Sequence, residues 1–318
     1  MNIGNNMKLI GSLTTYPARI DGISATIESI LNQTQKLDEL ILWLVKDEFN
    51  NNLETPEKLK ELTKKGLIIK WCDENYKSYN KLIFALKEYP NDIIITFDDD
   101  IIYNKDCVRL LYEGYKEKPN CIQCHRALRI VFNNDKVLPY KDWVWGIKGK
   151  NTKPSYTNFF TGVGGVLYPP KSLHKDVFNT ELFKKICPNE DDMWFWAMAV
   201  LKDTKINVVK NNLTKIKFNS ASTQEFALSN SNVGLEGNTE QFNNILKKYP
   251  VIYTKIMYDF IYERIISIFC IPIFKIIITR DTCKINLFSI IPFFKKKSSL
   301  KEIRYKIFGI KVFSITKL

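Results

Sequence analysis

The chain has 318 residues, 45% of them hydrophobic and 25% charged, which excludes a disordered or fibrous protein and leaves enough chain for a core without disulfide bonds. Its net charge of +13 is concentrated at one end, because fifteen Lys and Arg residues but four Asp and Glu residues lie from Lys247 onward. We therefore predict a nearly neutral domain over residues 1–246 and a basic appendage over residues 247–318, whose charge indicates an anionic partner such as nucleic acid or the inner face of a membrane.

Apolar patterns in the first 120 residues alternate between strand and helix. Short apolar runs predict strands, and apolar residues three or four apart predict helices. In chain order the prediction is strand 8–13, helix 20–31, strand 39–45, helix 56–64, strand 67–71, helix 79–88, strand 92–97 and helix 105–116. This alternation predicts an α/β fold with a mostly parallel, Rossmann-like sheet and helices on both faces. Residues 220–239, rich in Ser, Asn and Gly, are predicted to form a flexible loop or lid.

Polar residues follow three of the predicted strands. In a sheet of this kind, ligands bind beyond the carboxyl ends of the strands. These positions are Thr14, Thr15, Tyr16 and Arg19 after the first strand, Asp73 after the third, and Asp98, Asp99 and Asp100 after the fourth. We expect them to converge at one edge of the sheet.

The three adjacent aspartates follow a fully apolar strand. Neighbouring carboxylates repel one another unless a cation or hydrogen-bond donors balance their charge. Alternate residues of an extended turn point the same way, so Asp98 and Asp100 are predicted to face a metal ion. Mg²⁺ and Mn²⁺ favour oxygen ligands and commonly bind through one or two carboxylates together with substrate phosphate oxygens. A solvated acidic turn is the alternative interpretation of the same triplet.

Six motifs occur between residues 7 and 210 in the order SLTTYPARI, LILWL, Tyr79-Asn80-Lys81, ITFDDDIIY, GVGGVLYPP and EDDMWFW. In this order they resemble a family of bacterial polysaccharide glycosyltransferases with a GT-A fold, of the capsule and lipopolysaccharide type. The resemblance implies transfer from a nucleotide-sugar, with a UDP-sugar favoured, to a glycan or lipid-linked glycan. It implies that the three aspartates are a DxD-type motif that holds Mn²⁺ or Mg²⁺ at the donor diphosphate. It also implies a nucleotide-sugar half at about 7–125 and an acceptor half at about 126–246.

Further donor-site residues are predicted from their positions at the strand ends. The segment Thr14-Thr15-Tyr16 and the nearby Arg19 can bring backbone N–H groups and a cation to a diphosphate, or they can begin a helix that carries a surface arginine. Lys81, in the helix after the third strand, can neutralise phosphate. Asp73 can accept hydrogen bonds from a base or a ribose. Each of these two residues can equally be an ordinary surface residue.

Three glycines precede another apolar strand within the GVGGVLYPP motif. Without side chains, Gly162, Gly164 and Gly165 can let a sugar approach the backbone closely, or they can form a tight turn without a ligand. The resemblance favours a contact with the donor sugar or the acceptor, for which we single out Gly164 and Gly165.

Glu190, Asp191 and Asp192 form a second acidic cluster. An inverting transferase needs a base that accepts the proton of the acceptor hydroxyl while the charge of the leaving diphosphate is stabilised. Asp191 is predicted to be this base, and Asp192 is the second candidate. A structural cap on the helix that follows is the alternative. Trp194 and Trp196 either stack on acceptor sugars or pack in the core.

Two other classes of protein compete with a glycosyltransferase. A sugar nucleotidyltransferase shares the α/β core and an acidic metal site, but a Gly-rich phosphate loop is expected after its first strand, and TTYPARI contains no glycine. A non-enzymatic protein that binds nucleic acid or membrane is expected to carry a basic stripe with aromatic residues across its body. Here the body is nearly neutral and has two acidic clusters. The chain has two histidines, His125 and His174. Neither lies in a Ser/His/Asp pattern or in a His-rich zinc pattern, which disfavours a hydrolase triad and a zinc site.

Cysteine content and the appendage predict where the protein works. Seven cysteines, an odd number, and an N-terminus without a secretory signal favour the reducing cytoplasm. Cys121 and Cys124 form a CxxC inside an apolar strand, a pattern typical of buried thiols. No segment reaches the ~20 apolar residues that span a bilayer. The appendage repeats a short aromatic-aliphatic unit bounded by lysines, which predicts small hairpins that either pack as a terminal appendage or lie on the inner membrane face.

Overall fold

The computed structural model describes residues 7–50, 54–133, 135–219, 236–269, 274–279, 282–287, 291–298, 302–307 and 310–316. The chain forms two compact units, Met1–Asp259 and Phe260–Leu318. The division therefore follows Asp259, whereas the change in charge places it after residue 246. Within the described ranges, no helix is long and apolar enough to cross a membrane.

The first unit alternates strands and helices over its first 120 residues, as predicted. Its strands are β1 Leu9–Thr14, β2 Glu39–Val45, β3 Leu67–Cys72, β4 Ile93–Thr96, β5 Cys121–Cys124, β6 Ala127–Arg129, β7 Phe132–Asn133, β8 Lys136–Val137, β9 Asn158–Phe160, β10 Val166–Tyr168 and β11 Lys205–Val208. Its α-helices are α1 Ile23–Leu31, α2 Glu57–Lys64, α3 Asn80–Glu88, α4 Cys107–Glu117, α5 Thr180–Ile186, α6 Asp191–Leu201 and α7 Glu236–Lys248. A further helix, α8 Pro250–Phe269, begins in this unit and continues past Asp259.

A seven-stranded sheet organises this unit, in the order β3-β2-β1-β4-β10-β5-β11. Strands β3, β2, β1 and β4 are parallel neighbours, and β5 is parallel to β11. Strand β10 runs antiparallel between β4 and β5. The sheet is therefore mostly parallel, as the alternating pattern predicts, with one reversed strand near its centre.

Strand β2 shows why helices cover both faces of the sheet. Its sequence ELILWLV is apolar at six consecutive positions, all of them buried, and alternate side chains of a strand point to opposite faces. Leu40, Leu42 and Leu44 join a buried cluster that includes apolar residues of α1, α2 and α4. On the other face, the Trp43 ring lies 5.5 Å from the ring of Phe84 in α3. The predicted three-layer α/β architecture is confirmed.

Two sequence predictions concern later parts of this unit, namely the tryptophans of α6 and the loop 220–239. Trp194 and Trp196 of α6 are fully buried, and the Trp196 indole donates a hydrogen bond to the Tyr156 carbonyl oxygen at 3.0 Å. They therefore pack in the core and do not stack on acceptor sugars. Of the predicted loop 220–239, residues 220–235 lie outside the described residues, and the remaining four belong to α7.

The second unit contains five antiparallel strands in consecutive order, β12 Phe274–Thr279, β13 Thr282–Leu287, β14 Ile291–Ser298, β15 Glu302–Ile307 and β16 Ile310–Thr316. Each strand pairs with the next one along the chain. This pairing confirms the hairpins predicted from the repeated aromatic-aliphatic units.

Candidate active site

The carboxyl ends of β1 and β4 open into a cavity of about 610 Å³. Val166, the first residue of β10, pairs with Thr96 at the end of β4, so the segment before β10 lies at the same edge of the sheet. The first turn of α6 adds its carboxylates. The cavity brings together most of the residues singled out from the sequence, namely Thr14, Thr15, Tyr16, Arg19, Lys81, Asp98, Asp99, Asp100, Asp191 and Asp192.

Three predicted site residues are not among those that line the cavity. Asp73 follows β3, which is the outermost strand of the sheet. Its side chain is therefore 81% exposed, and it pairs with Lys46. Gly164 packs against the segment that follows β5, where an added Cβ would lie 3.2 Å from the backbone nitrogen of Arg126. Gly165 has a φ of +82°, a left-handed conformation that glycine adopts without strain. These two glycines shape the turn into β10, and their contact with a sugar stays a prediction.

Asp99 is tied into a buried network. Its carboxylate accepts hydrogen bonds from Thr15 Oγ1 and from the Arg19 guanidinium, both at 2.6 Å. Burial raises the pKa of Asp99, and the charge of Arg19 together with these hydrogen bonds opposes that rise. Arg19 also lies 3.5 Å from Asp100 Oδ2. Arg19 therefore neutralises the acidic turn, and its contact with a diphosphate stays a prediction.

Lys81 is a buried cation between the two acidic clusters. Its side chain is 6% exposed, and its Nζ lies 2.6 Å from Asp98 Oδ1 and 3.0 Å from Asp191 Oδ2. Burial alone lowers the pKa of an ammonium group, but the carboxylates of Asp191, Asp98 and Asp192 together raise the pKa of Lys81 well above its usual value. Lys81 is therefore charged at neutral pH and holds the end of β4 next to the start of α6.

Gly162 and Asp192 form the contact between the β10 segment and α6. The Gly162 N–H donates a 2.6 Å hydrogen bond to Asp192 Oδ2. A Cβ at Gly162 would lie 3.0 Å from Asp192 Oδ1 and 3.2 Å from both Asp98 Oδ1 and Lys81 Nζ, so the absence of a side chain permits this close approach. Burial and the charge of Asp191 raise the pKa of Asp192 well above its usual value. Asp192 therefore accepts a hydrogen bond from the backbone and interacts electrostatically with Asp191.

Asp100 lies in the same cavity, beside two other carboxylates. Burial, followed by the charges of Asp98 and Asp99, raises the pKa of Asp100 to about 6. Because a cation favours the ionised form, bound Mg²⁺ or Mn²⁺ would lower this pKa. In the part of the chain that the structure describes, no group of three or more acidic, histidine or cysteine side chains is arranged so that it could hold a metal ion. The chemistry of the donor set fits a hard cation bound by two carboxylates and completed by substrate oxygens.

Replacing Asp100 with asparagine is predicted to change how stability depends on pH. The pKa of Asp100 is raised from 3.8 to about 6 in the folded protein, so the folded state binds more protons than the unfolded state between these values. The contribution of Asp100 to the free energy of unfolding therefore falls as pH rises from about 4 to 6. Asp100→Asn removes this loss and gains up to about 3 kcal/mol relative to wild type by pH 7.

The measurement is urea denaturation across pH 4–7 in EDTA, which removes divalent cations. The control is Asp21→Asn, because the Asp21 carboxylate is exposed and pairs only with exposed Lys58 among the described residues. Profiles for wild type and Asp100→Asn that remain parallel over this range would contradict the raised pKa.

Several cavity residues were not predicted from the sequence, among them Arg126, Tyr140, Trp145 and Asn238. Arg126 lies two positions after β5. The rule that ligands bind beyond the carboxyl ends of strands, which identified the other site residues, could therefore have identified Arg126 as well. Its neighbour His125 is structural, because it is buried and its Nε2 lies 3.0 Å from the Cys107 carbonyl oxygen. Tyr140 begins a short 3₁₀ helix, Tyr140–Asp142, between β8 and β9, and Trp145 follows it; no periodic pattern marks either residue.

Comparisons with known structures give weak similarities. The chain is 16% identical to residues 1–349 of TarS from S. aureus, at a TM-score of 0.44 with 76% of this chain and 72% of that chain covered. It is 11% identical to a CMP-2-keto-3-deoxy-manno-octonic acid synthetase complexed with CTP, at a TM-score of 0.42 with 71% and 98% covered. No likeness at this level carries an argument about this chain. A search among curated protein sequences found no significant match.

The sequence itself matches the family described as "Glycosyl transferase family 2" over residues 13–175. This range is just over half of the 318 residues. It contains the last two residues of β1, all of β2, β3, β4 and β10, and the cavity residues Lys81, Asp98, Asp99 and Asp100. The chain therefore belongs to glycosyl transferase family 2 and is a glycosyltransferase.

Proposed function

We propose that this glycosyltransferase moves a sugar from a nucleoside diphosphate-sugar, with a UDP-sugar favoured, to a glycan or lipid-linked glycan in bacterial surface polysaccharide synthesis, with inversion at the sugar. One observation carries the proposal. A single cavity joins the three aspartates after β4 to the carboxylates at the start of α6 through buried Lys81. This arrangement supports the proposal that one substrate complex contacts both a donor site and a proton acceptor.

Asp98 and Asp100 would hold the divalent cation of the proposed reaction. Asp99 accepts hydrogen bonds from Thr15 and Arg19, which supports assigning the cation to its two neighbours, although Asp98 Oδ1 is itself paired with Lys81. When bound with the donor, Mg²⁺ or Mn²⁺ supplies positive charge that stabilises the departing diphosphate. Lys81 and Arg19 keep the acidic turn folded in the absence of substrate by balancing its charge.

Asp191 is the proposed base. It is the first residue of α6 and lines the cavity, and its carboxylate is paired with Lys81 at 3.0 Å. A carboxylate placed in this way can accept the proton of an acceptor hydroxyl. Asp192 is the second candidate, but its Oδ2 already accepts the Gly162 N–H.

A thermal-shift screen tests the donor site. Purified full-length protein is heated with UDP, GDP, CDP and CMP and with their sugar conjugates, in Mn²⁺ or in EDTA. A ligand that binds the folded state raises the midpoint, by an amount equivalent to ~2.7 kcal/mol at a hundredfold excess over Kd. We expect a Mn²⁺-dependent rise with one nucleotide class, and Asp100→Ala should lose it. A folded protein that responds to no nucleotide would contradict the proposal.

The basic appendage is proposed to hold the enzyme at an anionic membrane that carries a lipid-linked acceptor. Each Lys or Arg near such a surface contributes ~1 kcal/mol, and β14 contains three consecutive lysines. We predict that the full chain sediments with vesicles that contain phosphatidylglycerol, that salt reverses this binding, and that the triple variant Lys295→Gln, Lys296→Gln, Lys297→Gln binds several-fold more weakly. Equal binding to neutral phosphatidylcholine vesicles would contradict this role.

A further inference from the structure

One group of cavity residues has no part in the proposed donor chemistry. It consists of Arg126, Trp145 and Tyr140. Arg126 follows β5, which is separated from β4 by the reversed strand β10 and lies on the opposite side of β4 from β1, β2 and β3. The proposed donor site is built around the ends of β1 and β4. The Arg126 group therefore belongs to the β5 side of the cavity, away from the proposed donor site.

Trp145 is the exposed aromatic residue of this group. Trp145 is 45% exposed, although large apolar residues are usually buried. The buried ring of Tyr140 stands perpendicular to the Trp145 ring, with centroids 5.8 Å apart. Tyr140 is anchored in turn, because its backbone N–H donates a hydrogen bond to Thr239 Oγ1 at 3.0 Å. Trp145 is thus a supported indole ring at the wall of a cavity, and such a ring offers an apolar face to a sugar.

Arg126 is a half-buried cation on the same wall. Its guanidinium carbon lies 5.8 Å from the centroid of the Trp145 ring. Among the described residues, no carboxylate pairs with Arg126, whereas Arg19 and Lys81 each pair with two. A guanidinium group that lines a cavity and forms no ion pair with a described carboxylate is suited to bind an anion through paired hydrogen bonds.

We propose that Arg126 and Trp145 form an acceptor subsite that selects a sugar bearing a carboxylate or a phosphate group, with the ring of the sugar on Trp145 and its anion on Arg126. This inference rests on the proposed function, because it assumes that the donor occupies the β1 and β4 side. It adds the chemical class of the acceptor and two residues that the sequence did not single out.

The test uses fluorine NMR on the full chain labelled with 5-fluorotryptophan. The chain has six tryptophans, and Trp145→Phe identifies the Trp145 resonance by its disappearance. Glucose, glucuronic acid and glucose 6-phosphate serve as probes, because they share a ring and differ in charge. We expect at least one anionic probe to shift the Trp145 resonance with an apparent Kd roughly tenfold lower than that of glucose. The probe that binds more tightly identifies the anion as carboxylate or phosphate.

Arg126→Gln should bring the anionic probe to within about twofold of glucose, since the charge-assisted hydrogen bonds are lost. Arg109→Gln is the matched control, because Arg109 lies on α4 and pairs with Asp106 and Glu113, and it should retain the preference. Equal affinity of all three probes in the wild type, or no shift with any of them, would overturn the proposal.

A nucleotide thermal shift on the same variants separates this inference from the proposed function. Arg126→Gln should keep the Mn²⁺-dependent midpoint rise of the wild type. Loss of that rise in Arg126→Gln would place Arg126 on the donor and overturn the acceptor subsite while leaving the proposed function intact. Absence of the rise in the wild type contradicts the proposed function, whereas the sugar titrations still report on Arg126.

Discussion

Replacing Asp191 with asparagine is expected to lower kcat for sugar transfer by about 10²–10⁴-fold, which is the usual contribution of a positioned acid or base. Asparagine has nearly the same shape but cannot accept the proton of an acceptor hydroxyl. Lys81 keeps its 2.6 Å contact with Asp98 in this variant, so the end of β4 should stay in place. The Mn²⁺-dependent nucleotide shift should therefore persist while transfer stops.

Asp192→Asn and Asp21→Asn are the comparison variants for this experiment. Asp21 is an exposed carboxylate paired with Lys58, and its replacement should leave kcat unchanged. Asp192→Asn should mainly affect stability, because its carboxylate bonds the Gly162 N–H. If Asp191→Asn retains wild-type kcat and Asp192→Asn loses it, the role of base belongs to Asp192.

Replacing Lys81 with methionine is expected to be the most destabilising substitution in the cavity. Methionine fills a similar volume but leaves Asp98, Asp191 and Asp192 without their shared cation. Breaking a buried ion pair from one side typically costs ~3–5 kcal/mol, because the remaining charge has lost its hydration without compensation. The free energy of unfolding from urea denaturation at pH 7 should fall by about this amount.

Two further variants separate charge from packing. Lys58→Met removes an exposed lysine that pairs with exposed Asp21, and it should change stability little, as surface ion pairs contribute weakly. Adding Asp98→Asn to Lys81→Met removes one of the uncompensated charges and should restore part of the loss. A Lys81→Met protein as stable as the wild type would show that the three carboxylates do not depend on Lys81.

The fold of the first 120 residues was largely predictable because each element carries its own signal. Strand β2 occupies Glu39–Val45, as its apolar run predicts, and helix α3 begins one residue after the predicted start at residue 79. The reversed direction of β10 was not predictable in this way. A run of three buried residues carries no signal for strand direction. The direction of β10 is fixed by its pairing with β4 and β5. Short strands such as β6 and β9 likewise depend on tertiary pairing.

The candidate site was predictable where one rule placed its residues, and less so elsewhere. Asp98 and Lys81 lie in contact because β4 ends, and α3 begins, at the same edge of the sheet. Asp73 obeys the same rule but lies after an outer strand, where Lys46 and solvent satisfy it. Trp145 comes from an irregular segment whose position depends on ring contacts with Tyr140, and such contacts leave no mark in the sequence.

The most direct measurement is a crystal structure of the full chain grown with Mn²⁺ and the nucleoside diphosphate that raises its thermal midpoint, with anomalous scattering recorded at the manganese edge. We predict an anomalous peak next to the carboxylates of Asp98 and Asp100, with the diphosphate joined to it on the β1 side of the cavity. A peak elsewhere that leaves both carboxylates without metal, or a diphosphate bound at Arg126, would contradict the proposed donor site.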